Sequence, residues 1–128
     1  MQAIRFDLEL VERSGVLITS LELSGKEKRL DATMQIILYC IVQQALNNIL
    51  RHAKASTMRV CLHYLEDRLQ VLIEDNGTGF NTAILQSNSN DGAGLRNMIH
   101  RAGLIKTNIH FESQSRMGTT IRLSVPIT

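Results

Sequence analysis

A chain of 128 residues, 44% hydrophobic and 20% charged, has enough apolar material for one packed core and lies outside the disordered and fibrous classes. Its net charge of +2 comes without a dense Lys/Arg block, which argues against nucleic acid or an anionic membrane surface as a partner. The apolar run Ile36 to Val42 is too short to span a bilayer and no signal-peptide pattern precedes it. The expectation is a single cytoplasmic domain over residues 1–128, with no direct membrane contact of its own. Cys40 and Cys61 lack metal-ligand spacing and read as small core residues in a reducing compartment.

In chain order, Ile4, Leu8 and Val11 recur at helical spacing and stop at Ser14-Gly15, a short helix with a glycine end. VLITSLEL, Val16 to Leu23, reads as a strand. After the polar turn SGKEKR comes a helix from about Asp31 to about His52, with Asp31 or Thr33 as cap. Its apolar run is followed by QQALNNILRHAKAS, Gln43 to Ser56, which sets Gln44, Asn48 and Arg51 or His52 on one face. A buried polar stripe is costly unless the rest of the chain or a ligand satisfies it.

TMRVCLHY, Thr57 to Tyr64, and LQVLIE, Leu69 to Glu74, alternate and flank the reversal LEDR. EDNGTGF, Glu74 to Phe80, follows directly. Asp-Asn-Gly is a common hairpin turn, yet the next residues, NTAILQ, lack the alternation of a returning strand. Gly77 and Gly79 let backbone approach a ligand closely, and an Asp at a strand end suits an exocyclic amine. Taken alone, turn and ligand loop stay equally open. Asn81 to Gly92 reads as a flexible loop. DGAGLRNM, Asp91 to Met98, opens a helix with a glycine-rich segment and so offers free N–H groups to a phosphate. It matches neither a Walker loop nor a dinucleotide fingerprint. Leu95, Met98, Ile99 and Ala102 continue as a helix ended by Gly103, and NIHFES and TIRLSV are two more alternating strands around SQSRMG. The pattern predicts an α/β chain of the α+β type: a two-layer sandwich with a mixed, mostly antiparallel sheet and helices on one face.

The three motifs, in this order, resemble the ATP-binding fold shared by gyrase, a chaperone ATPase, the histidine kinases and MutL, known as the Bergerat or GHKL fold. The wording QxALNNxxRHAxAS and DNGxGF is most similar to the catalytic domain of the nitrate-sensor class of bacterial sensor histidine kinases. The resemblance covers Leu30 to Pro126. It implies ATP and Mg2+ as cofactors, with Asn48 as metal ligand and Arg51 facing the phosphates. His52 and Lys54 either assist or cap the helix end. Asp75 is implied as the adenine-reading carboxylate, with Gly77 and Gly79 shaping the base pocket. Gly92, Gly94 and Leu95 correspond to the phosphate-side loop, Asn81 to Asp91 to the lid, and Thr119 to a threonine supporting the aspartate.

Gln44 departs from the pattern, which usually has a glutamate read as a base. A histidine acceptor is already a neutral nucleophile near pH 7, so Gln44 disfavours hydrolysis or serine phosphorylation more than transfer to histidine. The expected catalytic set is Gln44, Asn48 and Arg51, with Gln44 as a hydrogen-bonding positioner. None of His52, His63, His100 and His110 lies in the helical hairpin expected to carry the acceptor. The resemblance therefore implies a fragment of a two-component sensor, acting on its own dimerisation and phosphoacceptor domain and, through it, on a response regulator. A free-standing serine kinase of the anti-sigma-factor type and a catalytically silent nucleotide-binding module are the alternatives.

Overall fold

The computed structural model describes residues 2–50, 55–77, 93–113 and 118–127. The first helix, α1 (Gln2–Arg13), buries Ile4 and Leu8 and hands over to the first strand through Gly15, whose φ of +79° is left-handed. Then follow β1 (Ile18–Gly25), α2 (Ala32–Asn48), β2 (Thr57–Tyr64), β3 (Arg68–Asp75), α3 (Ala93–Leu104), β4 (Ile109–Ser113) and β5 (Thr119–Pro126). Of the two possible caps for α2, Asp31 serves: its Oδ1 accepts the N–H of Met34 at 2.8 Å.

The sheet runs β1-β2-β3-β5-β4. β1 lies parallel to β2, with Leu21 beside Val60, and the other three pairings are antiparallel. The mixed, mostly antiparallel sheet expected from the alternation is therefore present. Among the described residues the element after β3 is α3, and both edges of β3 are taken, by β2 and β5, so the Asp-Asn-Gly segment does not return a strand onto β3.

One sheet face carries the core. Met58, Val60 and Leu62 from β2, Leu69, Val71 and Ile73 from β3, and Ile121, Leu123 and Val125 from β5 are all buried. They pack with Leu38, Ile41 and Ala45 of α2 and Leu95, Met98 and Ala102 of α3 in one cluster. Each of the larger aliphatic side chains among them stabilises the fold by roughly 1.5–3 kcal/mol before entropy is charged against it, the two alanines by less. α1 is tied to the layer by two polar contacts: Tyr39 Oη donates to Asp7 Oδ2 at 2.5 Å, and Thr19 Oγ1 donates to the carbonyl of Leu8 at 3.0 Å.

The opposite sheet face is wet. Arg59 bridges Glu22 at 2.9 Å and Glu74 at 2.6 Å; Glu22 is pulled below the usual carboxylate range by Arg59, and the Arg59 guanidinium is held protonated. These pairs are exposed and screened, so they contribute little to stability. Cys61 lies on this face with its Sγ 3.4 Å from Glu22 Oε2, so it is not the core residue that composition suggested.

α3 ends differently from the expectation. Gly103 is an ordinary exposed residue inside the helix, and the left-handed position falls on Lys106, with φ +58°. The N–H of Thr107 bonds the carbonyl of Ala102 at 3.1 Å and the N–H of Lys106 that of Gly103 at 3.2 Å, the paired bonds of a Schellman cap. The helix runs on because Ile105 still belongs to its buried face.

Candidate functional site

Two clusters of polar groups sit at one end of the layered core. The first is the seam between α2 and α3. Gln44 and Asn48 stand one turn apart on α2 and are half-buried. Gly94, the second residue of α3, lies directly against them: a Cβ there would come 2.6 Å from Gln44 Nε2 and 3.2 Å from Asn48 Oδ1. The two amides thus face the positive, N-terminal end of α3, where helical N–H groups have no intrahelical partner. Because Gln44 and Asn48 are half-open, the stripe is not a sealed polar inclusion. Among the described residues, no buried side-chain nitrogen or oxygen lacks a hydrogen-bond partner. Leu95 is 5% exposed and belongs to the core, so its side chain packs the helix start while only its backbone can serve a ligand.

The second cluster closes the end of β3. Asp75 Oδ1 accepts the N–H of Gly77 at 2.8 Å, and the backbone N–H of Thr119 faces the same carboxyl. Burial nevertheless pushes the Asp75 carboxyl above the ordinary carboxylate range, against the pull of those two N–H groups. A half-desolvated acceptor of this kind gains from a donor that reaches it. Thr119 is paired with Asp75 across β3 and β5, and its Oγ1 lies 2.9 Å from Ser113 Oγ. Gly118 precedes it with φ +83°, and a Cβ there would collide with the backbone carbonyl of Asp75.

Asn76 has a separate task. Its Oδ1 accepts the N–H groups of both Ser56 and Thr57 at 2.9 Å, and its Nδ2 donates to Ser56 Oγ at 2.8 Å.

The structure thus brings Gln44, Asn48 and Gly94 together, and gathers Asp75, Gly77 and Thr119 into a second group. Arg51, His52, Gly79, Gly92 and the expected lid from Asn81 to Asp91 lie outside the described residues. Among the described residues no three His, Cys, Asp or Glu side chains are grouped to hold a metal ion. A protein-only metal cage is therefore not among the features seen. The Asn48 amide oxygen is, by contrast, a hard ligand suited to Mg2+, which commonly keeps few protein ligands and completes its shell with phosphate and water. Sequence reasoning assigned no role to Asn76, Ser56 or Gly118, although Asn76 and Ser56 stand among the fixed letters of DNGxGF and QxALNNxxRHAxAS and Gly118 closes the turn SQSRMG.

Residues 33–128 match the family model described as "Histidine kinase-, DNA gyrase B-, and HSP90-like ATPase". The chain belongs to this family. The domain is similar to the histidine-protein kinase/phosphatase DegS of Brevibacillus brevis, at 34% identity over 91% of the chain and 29% of DegS. It is also similar to the oxygen sensor histidine kinase NreB of Staphylococcus carnosus, at 33% over 79% of the chain and 28% of NreB. The chain thus spans under a third of the length of these curated relatives. In fold it is similar to the ATP-binding domain of PrrB from Mycobacterium tuberculosis, with a TM-score of 0.77 at 19% identity over 99% of this chain and 93% of that one. The histidine kinase AdeS of Acinetobacter baumannii gives 0.77 at 16% identity, over 99% of this chain and 62% of that one. This is a catalytic ATP-binding module of the histidine-kinase type, and among its described residues no helix is long and apolar enough to cross a membrane.

Proposed function

We propose that residues 1–128 act as one cytoplasmic catalytic domain that binds ATP with Mg2+ and presents the γ-phosphoryl group to a histidine on a separate helical hairpin. From that histidine the phosphoryl group passes to a response regulator. The observation that carries the reading is the seam at Gly94, where the amides of Gln44 and Asn48 meet the opening of α3. Asn48 Oδ1 is the proposed metal ligand, and Arg51 and His52 are the proposed cations beside the phosphates. Gly92, Gly94 and the backbone of Leu95 are assigned to the phosphate side. Asp75 reads the exocyclic amine of adenine, with Gly77 and Gly79 shaping the base pocket and Thr119 supporting the carboxyl. Bound Mg2+ would supply charge neutralisation on the phosphate oxygens.

The acceptor imidazole nitrogen attacks the γ-phosphorus with its lone pair; a P–N bond forms, the bond to the ADP oxygen breaks, and the second ring nitrogen releases its proton. No base is needed to generate that nucleophile near pH 7, so Gln44 only has to hold groups in place. A serine acceptor would lack this advantage, and a neutral amide at position 44 gives it no help. Gln44→Glu is expected to raise background ATP hydrolysis in a phosphate-release assay, and an unchanged rate refutes the positioning role.

Calorimetry with Mg2+-ATP, followed by mixing with a separately prepared acceptor hairpin and radiolabelled ATP, tests the reading as a whole. Uptake of nucleotide, abolished by Asn48→Ala or Asp75→Ala, together with acid-labile phosphohistidine on the hairpin is the expected result. No uptake by the folded wild-type domain, or label on serine, overturns it.

A further inference from the structure

Asn76 stands between the proposed base-reading Asp75 and Gly77, yet its side chain serves neither. An asparagine in a turn usually bonds backbone one or two residues further on. Here that local bond belongs to Asp75, whose Oδ1 takes the N–H of Gly77. The Asn76 amide instead reaches twenty positions back, to Ser56 and Thr57, through three hydrogen bonds of 2.8 to 2.9 Å. Its own N–H also points at the carbonyl of Thr57, at 3.4 Å, and the carbonyl of Ser56 accepts the N–H of Ile18 at 2.9 Å. One exposed side chain therefore ties together the ends of β2 and β3, and Ser56 extends the link to β1 through its own carbonyl. Asparagine suits the node because one end of its amide accepts two N–H groups while the other donates to a hydroxyl.

We propose that Asn76 is a positioning residue that sets the spacing between the adenine-reading carboxyl and the segment returning from α2. The inference rests on the functional reading above. Asp75 is fixed to Asn76 by a single peptide bond, and Ser56 closely follows Arg51 and His52 in the chain. An ATP molecule engages both ends at once, so its affinity depends on their separation, whereas adenosine engages the base end alone. An error in that separation is felt by the triphosphate and not by the nucleoside.

The test compares binding of Mg2+-ATP and of adenosine to the wild-type chain, Asn76→Ala and Ser56→Ala, with Tm recorded for each. Because the node is exposed and water can replace its bonds, Asn76→Ala should remain folded with a modest fall in Tm. The ratio of ATP to adenosine affinity is expected to drop about tenfold in Asn76→Ala. Ser56→Ala, which removes only the hydroxyl partner, is expected to move the ratio in the same direction by a smaller factor, and it decides the matter if Asn76→Ala does not fold. A node that merely holds the fold together would lower Tm and leave the ratio unchanged, and that outcome overturns the inference alone. A wild-type chain that takes up no ATP overturns the functional reading, and the inference falls with it.

Discussion

At Gly94 the missing side chain is what lets α2 and α3 meet with their polar groups in contact. A methyl there would press on the Gln44 amide, the far end of a side chain able to swing aside, and crowd Asn48 Oδ1 at 3.2 Å. Gly94→Ala should therefore fold normally and bind Mg2+-ATP about tenfold more weakly, with partial recovery when Gln44→Ala makes room. Calorimetry on the single and double variants reads both effects; equal affinity in wild type and Gly94→Ala removes the seam from the site. Asp75 makes a different prediction. Its folded pKa lies above the unfolded value of 3.8, so the folded chain holds this proton more tightly and loses stability as pH rises through the folded value. Asparagine cannot ionise and still accepts the N–H of Gly77. Asp75→Asn should raise the Tm of the ligand-free domain at pH 7, with the gain vanishing below about pH 3.8, while weakening ATP binding. Thermal melts at both pH values check it. Gln44, Asn48 and Asp75 were legible in the sequence because helical spacing and a strand end place them without reference to the rest of the fold. The partnership of Asn76 with Ser56 was not, because two segments twenty positions apart meet only once β2 and β3 have paired.

Among the elements, the four later strands were the most legible, whereas β1 runs over Ile18–Gly25, two residues beyond the Val16 to Leu23 expected. β2 spans Thr57–Tyr64 as its alternation requires, with Met58, Val60 and Leu62 at 1%, 0% and 1% exposure. The helix ends were less so. The glycine rule put the end of α3 at Gly103, but burial of Ile105 extends the turn and leaves a lysine in the left-handed position. That conformation costs an ordinary side chain about 1 kcal/mol that glycine does not incur. Lys106→Gly should stabilise the domain by about that amount, seen as a higher urea midpoint at unchanged slope. A midpoint that stays put or falls would mean the lysine makes a compensating contact. The Asp-Asn-Gly segment shows the complementary difficulty: its composition fits a hairpin, and what excludes a strand returning onto β3 is the sheet order, which seats β3 between β2 and β5.

For the whole molecule, the two layers follow from one-sided alternation in the strands, and a polar outer face leaves no surface on that side for a second helix layer. What alternation could not convey is the strand order, in which β5 inserts between β3 and β4 and β1 joins β2 in parallel. That parallel joint has a kinetic meaning. The β2–β3 and β4–β5 ribbons connect chain neighbours and close short loops, whereas β1 must wait for α2 to cross over before it finds β2, at a higher entropic cost. The margin formed by β1 is therefore expected to pair after those two ribbons and, as a sheet edge, to open before the central strands. In a hydrogen–deuterium time course, the amides of Leu21 and Leu23 should exchange ahead of those of Val60 and Val71, so that the amino-terminal edge breathes while the ribbon bearing Asp75 stays shut.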